Sequence, residues 1–526
     1  MRLSDPKLLL LLLGLTACGP GGCASCFQAT PGPLPEAERI YEGFQIRITP
    51  DGFAAGAGNM ATALTAIQPS YTFVSVGPFP VKAGDFDGTF CPFGCYIFAS
   101  LTPPNVDRET PDKLLLKSSF DVNSSASFQG TPSCSLSFSA RLHATVVLKI
   151  DQEPVSKNLS VTVDEIRLPI VPADFAVSSN NCNVTDYSPI QDALAGMGPS
   201  LVNAIQSDVQ YYARQQFCLE CDDYLDGCPA GATCNTTSNI CELPGGKCMA
   251  EPMGIHGAVD LHALAPGNYS RAAGMELHVV AGQKSPVAGD PIVDPTTGAN
   301  FRFYGGVVPP TVPPDCVPPG VPPVVEADRV DLDGEAQRLA PTLPALSQGF
   351  HLGISLSEAL MTRLLQGAWA GGAFCIEASS ALSSLISAES LSAVLPSIGV
   401  VADKNAPAMV QLRLKVAPRA LAGAGEYGWD GNGKWVLVKP LVIAELKELE
   451  LSVYTVIEGR YARVLAVEAD ARLPLGIEQV PDNLGAPRLL PVVGNLDGLA
   501  EKLTVTRNEL LAEDEETVKN AVRTML

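Results

Sequence analysis

Histidine is nearly missing from this sequence, with five in 526 residues. His256, His262 and His278 show no metal-ligand spacing along the chain, and His143 and His351 sit on the polar or alternate side of short strand patterns. There is no H-E-x-x-H, no G-x-S-x-G elbow and no Walker loop, so the usual zinc-peptidase, serine-hydrolase and phosphate-loop chemistries lack their motifs. Charge is scarce too, at 17% of residues, and its balance is acidic: Lys+Arg 35 against Asp+Glu 56, a net of −21. That argues against a nucleic acid or an anionic membrane held by bulk charge. Long apolar runs are confined to Leu8 to Ala17, which falls short of the roughly 18 residues a spanning helix needs. What is abundant is hydrophobic residues (46%), Gly 47 and Pro 44. This is a turn-rich, strand-rich chain with ample core material, long enough for two to four domains. Fifteen cysteines point to an oxidising compartment, and the odd total leaves one thiol outside the disulfides.

The N-terminus accounts for that thiol. Arg2 and Lys7 precede the apolar run, which ends in Leu15-Thr16-Ala17-Cys18. The pattern resembles a bacterial lipobox, which implies cleavage before Cys18, acylation of its thiol and stable anchoring by two or more acyl chains. Residues 1–17 are then a signal peptide and residues 18–39 a lipidated flexible tether, in which Cys23 and Cys26 form a small loop disulfide. Fourteen cysteines remain, an even number.

Residues 40–217 form a first unit. Phe44, Ile46 and Ile48 alternate with polar residues, an Ala-rich helix is expected over about Phe53 to Ile67, and Leu142, Ala144, Val146, Leu148 and Ile150 line one side of a strand. Leu159, Val161 and Val163 begin another. Ser188-Pro189-Ile190-Gln191 reads as an N-cap and capping box, opening a helix whose stripe is Leu201, Ile205, Val209 and Tyr212. Residues 218–250 hold Cys218, Cys221, Cys228, Cys234, Cys241 and Cys248 with too little apolar mass for a core. Disulfides of unassigned pairing must hold them, with a zinc site as the weaker alternative. Residues 251–348 return to short strands and include the connector Val307 to Val325, whose prolines exclude it from a central ladder. Residues 349–526 form a second unit. Phe350, Leu352 and Ile354 make a strand, and a helix opening at Ser355-Leu356-Ser357-Glu358 carries Leu356, Leu360, Leu364 and Ala368, with Gly371 as its C-cap. Strands follow at Val410 to Val416, Leu449 to Val453 and Val467 to Leu473, with a hairpin turn at Trp429-Asp430-Gly431-Asn432-Gly433. The two units repeat each other: Phe44-Gln45-Ile46-Arg47-Ile48-Thr49 and Phe350-His351-Leu352-Gly353-Ile354-Ser355 share a pattern and both lead into a helix.

Three further motifs read as structure. Gly56 to Ala61 fits G-x-G-x-x-A, but alternating strands are not those of a parallel dinucleotide fold. Asp85-Phe86-Asp87-Gly88 and Asp331-Leu332-Asp333-Gly334 lack the rest of a calcium loop and read as surface turns. Glu448 and Glu450 are expected on the solvent side of a strand.

The order of these pieces resembles the bactericidal/permeability-increasing protein family of the tubular lipid-binding superfamily. The resemblance rests on FQIRITPDGFAAGAGNMATAL, on the close of the first unit from Cys182 through Ser188 to Phe217 and Cys218, and on VDLHALAPGNYSRAAGMELHVVAG. The proline connector and GFHLGISLSEALMTRLLQGAWAGGAF complete it. It implies an α+β fold: two tubular domains in tandem, each a long helix wrapped by a bent antiparallel sheet, joined by a central sheet, with the Cys-rich segment as an insert. It also implies a Cys182–Cys218 disulfide and apolar pockets for phospholipid acyl chains, with Leu201, Ile205, Val209, Tyr212, Leu356, Leu360 and Leu364 facing them. The acidic net charge departs from relatives that bind lipopolysaccharide through a basic tip. The expectation is a non-catalytic, lipid-anchored protein of the bacterial outer membrane, without cofactor or nucleic acid, that binds or transfers lipids. An envelope adhesion protein using the Cys-rich insert to bind a protein partner is the alternative.

Overall fold

A computed structural model of the chain describes residues 27–28, 34–52, 70–76, 78–101, 105–110, 113–179, 181–196, 198, 202–203, 206, 210–211, 214, 217–221, 228–259, 275–282, 292–294, 298–310, 313–318, 352–379, 386–429, 435–481, 487–493 and 500–525. The Ala-rich helix, the Cys23–Cys26 loop, Cys18 and the Asp331 turn lie outside them.

Alternation over residues 134–152 produces the strand Cys134–Gln152, which pairs with Lys113–Thr131 from Lys113↔Lys149 to Phe128↔Cys134. Around this hairpin the first sheet adds Leu159–Arg167 and Phe175–Ser179 on one side, and Phe86–Phe90, Asn105–Thr110 and Cys95–Leu101 on the other. Leu136, Phe138, Ala140, Leu142 and Ala144 are buried in strict alternation. Beyond Ala144 the expected alternation slips, because Val147 is buried and Val146 and Leu148 are only partly so. The cause is a bulge in Leu159–Arg167, between the pairs Val163↔Leu148 and Glu165↔Val147, which re-aims the side chains there. Edge-to-face contacts among Phe86, Phe128, Phe90, Phe138 and Phe175 fill the core. The helix Ser188–Gly196 lays fully buried Ile190 and Leu194 on it. Asp186 caps that helix by accepting from the Ser188 backbone N–H at 2.9 Å. Gln191, expected in the capping box, instead donates to the Phe175 carbonyl at 2.7 Å and ties helix to sheet.

The central sheet runs, in order, Phe27–Gln28, Gly254–Val259, Met275–Ala281, Gly298–Val308, Ile40–Ile48 and Leu352–Leu356. The expected tether therefore ends earlier than residue 39. Phe27–Gln28 pairs with Ala258–Val259, Leu34 is buried, and Arg39 clasps the junction. The Arg39 guanidinium lies 4.5 Å over the Tyr304 ring and donates to the Ser156 carbonyl at 2.7 Å. Tyr304 donates to Asn158 Oδ1 at 2.8 Å, and Asn158 donates to the Ala250 carbonyl at 3.2 Å. The connector also begins later than expected: Val307 and Val308 complete an interior strand, and its prolines start at Pro309.

The second sheet orders Ile376–Ser379, Ala408–Leu414, Val442–Ile457, Arg460–Pro481 and Pro487–Val493, with Arg419–Ala422 and Ala500–Arg507 added alongside. Val416 falls outside Ala408–Leu414 and is exposed. Tyr427–Trp429 and Trp435–Leu437 pair as the expected hairpin. Two short helices, Ala388–Ser392 and Ile398–Val401, and the helix Glu515–Met525 close one end, burying Leu391, Ile398, Val518 and Val522. The result is a set of curled antiparallel sheets with few helices and several disulfides.

The Cys182–Cys218 pairing is overturned. Cys182 bonds Cys134, because Phe175–Ser179 pairs antiparallel with the start of Cys134–Gln152 and delivers residue 182 beside residue 134, with Cα atoms 5.3 Å apart. Cys218 bonds Cys248 at the neck of the insert, where Cys218 and Ala250 form a bridge. Cys221–Cys234 and Cys228–Cys241 complete the insert, and Cys316–Cys375 ties the connector to the end of the helix Glu358–Ala370.

Candidate functional site

The register divides the central sheet into two unlike faces. Leu352, Ile354 and Leu356 stand opposite Ile48, Ile46 and Phe44, which stand opposite Ala299, Phe301 and Phe303. Directly opposed residues share a face, so this face is apolar across three strands. The other face carries Gln45, Arg47, Asn300, Arg302 and His278, all buried, with Asn300 donating to Gln45 at 3.3 Å.

The helix Glu358–Ala370 covers one part of the apolar face. Ser357 is its N-cap, accepting from the Leu360 N–H at 3.1 Å, so the helix starts later than expected and Leu356 is the last residue of a strand. Both Ser355 and Ser357 fit a cap by sequence; pairing of Ser355 with Gln45 in the ladder decides between them. Leu360 is fully buried in a notch between two glycines: a Cβ on Gly305 would fall 2.6 Å from Leu360 Cδ1, and one on Gly43 3.0 Å from Leu360 Cβ. Leu364 packs partly buried against the same cluster of Ile40, Phe44 and Phe303. On its other side the helix meets the second sheet, where Thr362 accepts from the Ala420 N–H at 3.0 Å and Trp369 donates to the Leu414 carbonyl at 2.7 Å. Arg363, buried, pairs with Glu38. Leu360 and Leu364 thus join the helix to the central sheet. Leu201, Ile205, Val209 and Tyr212 lie outside the described residues.

The rest of the apolar face is open. Leu352 and Ile354 are each 42% exposed and Leu356 is 40% exposed, while Ile46 and Ile48 beside them are partly buried. Three neighbouring aliphatics on one face of a strand are more than scattered surface leucines, and contiguous apolar surface of this kind marks interaction sites. Periodicity located the strand, but only the register shows that its apolar side continues across Ile40–Ile48.

Other candidate groups are absorbed into structure. Glu450, expected on the solvent side, is buried in a charged cluster. Arg413 Nη2 lies 2.6 Å and Lys415 Nζ 2.8 Å from its carboxylate, and Lys415 also pairs with Glu468. Burial works against the Glu450 charge, but hydrogen bonds from Lys415 and Arg413 outweigh it and hold the carboxyl below its ordinary range. Glu448 stays exposed, with φ 55° beside a bulge. Asp85 lies in a tight turn and Asp87 pairs with Lys82 at 3.6 Å. The sulfurs of Cys221, Cys228 and Cys241 cluster within 4.8 Å, yet each is committed to a disulfide, which displaces the zinc alternative there. A trough on the first sheet is floored by Asn123, Ser125, Ser137, Ser139 and Ser178; its hydroxyls do not suit acyl chains. Among the described residues no helix is long and apolar enough to cross a membrane.

No protein-family model matches the sequence, and no curated protein matches it. Among solved structures the chain is similar to a lipopolysaccharide binding protein, at 10% identity and a TM-score of 0.34, over 92% of this chain and 88% of that one. It is also similar to P47 from Clostridium botulinum A2, at 8% identity and a TM-score of 0.20, over 93% of this chain and 87% of that one. Likeness at this level assigns no function.

Proposed function

We propose that this chain is a non-catalytic lipid-binding protein of the bacterial cell envelope, anchored by acyl chains on Cys18, that takes up phospholipid-like acyl chains on apolar surface enclosed by two tubular units in tandem. The observation that carries the reading is the open apolar stripe Leu352, Ile354 and Leu356, continuous with Ile46 and Ile48 on the sheet between the units. Covering a methylene there is worth about 0.8 kcal/mol, so a dozen buried methylenes outweigh the ordering of one flexible chain. The apolar face bears no nucleophile or acid–base pair, which fits holding a ligand rather than transforming it. The test is binding of a fluorescent acyl-chain phospholipid to the full chain: Ile354→Asp weakens it at least about tenfold with the melting curve unchanged. Equal binding by wild type and variant refutes the placement.

A second reading has one observation in its favour. All six cysteines of the insert pair among themselves, so it is a self-contained unit suited to binding an envelope protein. Deleting residues 219–247 with lipid content unchanged and partner capture lost favours that reading.

A further inference from the structure

Two of the chain's five histidines are placed directly opposite one another in the central sheet: His256 on Gly254–Val259 pairs with His278 on Met275–Ala281. Directly opposed residues of an antiparallel pair have Cβ atoms about 4.5–5.5 Å apart on one face, a separation at which two imidazoles can share one ion. Glu276 precedes His278 by two positions and so lies on the same face. Its Oε2 stands 3.6 Å from His278 Nε2. An N–H···O hydrogen bond is shorter, at about 2.7–3.2 Å. Two ligands each about 2.0–2.1 Å from a tetrahedral zinc ion stand roughly 3.3–3.4 Å from each other. The spacing is therefore nearer that of two ligands to one metal than that of donor to acceptor.

The surroundings agree. On the next strand the residue opposite His278 is Gly306, which brings no side chain to compete for the position. His278 itself is buried, while the Glu276 side chain is 42% exposed, leaving a path from solvent. Imidazole and carboxylate are also the donors left for a metal in an oxidising compartment, where the cysteines of the insert are committed to disulfides. We propose that His256, His278 and Glu276 hold a divalent transition-metal ion of the zinc class, with water completing a tetrahedral set. The ion clamps Gly254–Val259 to Met275–Ala281 just where the chain leaves the disulfide-rich insert. On its outer side Gly254–Val259 has the two-residue strand Phe27–Gln28 as its ladder partner, so a cross-strand clamp adds to little other restraint.

The experiment is calorimetric titration of the chelator-treated full chain with zinc chloride, repeated on His256→Ala and Glu276→Gln. The expected result is one equivalent bound by the wild type, at least about tenfold weaker in each variant, and a melting temperature that zinc raises in the wild type and not in His256→Ala. Replacing the buried His278 can unfold the sheet, so the variants are placed at the other two positions, and each is first checked for a cooperative melt. Cobalt(II) in place of zinc gives ligand-field bands without a thiolate charge-transfer band. No stoichiometric binding by the wild type, equal affinity in both folded variants, or a thiolate band with cobalt overturns the site.

Discussion

The strands Ile40–Ile48 and Leu352–Leu356 carry the same apolar alternation and lie side by side in one sheet, yet they are buried to very different degrees. Ile40–Ile48 has neighbours on both edges and a helix over part of one face, and Phe44, Gln45 and Arg47 are all buried. Leu352–Leu356 has Ile40–Ile48 as its partner and leaves its three aliphatics about two-fifths exposed. The two segments also pair in a telling register. Arg47 and Gly353 are equivalent positions of the repeat, offset by the same 306 residues as Phe44 and Phe350, and they pair with each other. The repeated strands are thus related by a local two-fold axis through their own equivalent positions, as a duplicated unit joined to its copy requires. Alternation specifies that a strand forms and which side is apolar; position in the sheet specifies whether that side is covered.

The widest separation of the two strands is expected in stability. Phe44→Ala empties an interior position and costs about 3–5 kcal/mol, whereas Leu356→Ala, directly opposite, costs about 1 kcal/mol or less. Denaturant unfolding measures both, and equal losses break the distinction between interior and edge. Next, Gly305→Val drives a side chain into Leu360 and costs about 1–3 kcal/mol. Leu360→Ala in the same chain recovers part of that loss, a coupling that calorimetric double-mutant cycles read directly.

The second sheet repeats the lesson with charge. Glu450 lies on the interior strand Val442–Ile457 and is covered by side chains from both neighbours. Glu450→Gln is expected to cost about 1–3 kcal/mol at neutral pH, less than a fully dry ion pair because Arg413 and Lys415 are about one-third exposed. Its folded carboxyl titrates below the ordinary value. The stabilisation is therefore complete above the unfolded pKa and fades as pH falls through the folded one. Wild-type and variant melting temperatures should converge on acidification, and a constant gap down to pH 3 contradicts the assignment. The smallest effect is expected from Ile354→Thr, within about 0.5 kcal/mol of wild type, since the edge strand has little left to lose.

Much of this was legible in the sequence. The strand patterns at residues 44–48, 142–150 and 449–453 stand where alternation put them, and Gly371 ends its helix as its position suggested. What was not legible depended on neighbours distant in sequence. Cys182 bonds Cys134 because a strand return brings them together, and no spacing rule encodes that. Glu450 is buried because cations arrive from flanking strands. His256 and His278 lack metal-ligand spacing along the chain and acquire it only across the ladder. Leu356 was misplaced because two serines, Ser355 and Ser357, offered rival caps.

The contrast between covered and open apolar surface is tested most directly by crosslinking. A photoreactive phenylalanine analogue replaces Ile354 on the open face, or Arg47 on the buried polar face, in the full chain incubated with phospholipid vesicles. The account predicts acyl-chain adducts from position 354 and none from position 47, read by mass spectrometry of the tryptic peptides. Adducts from neither position, or equally from both, contradict it.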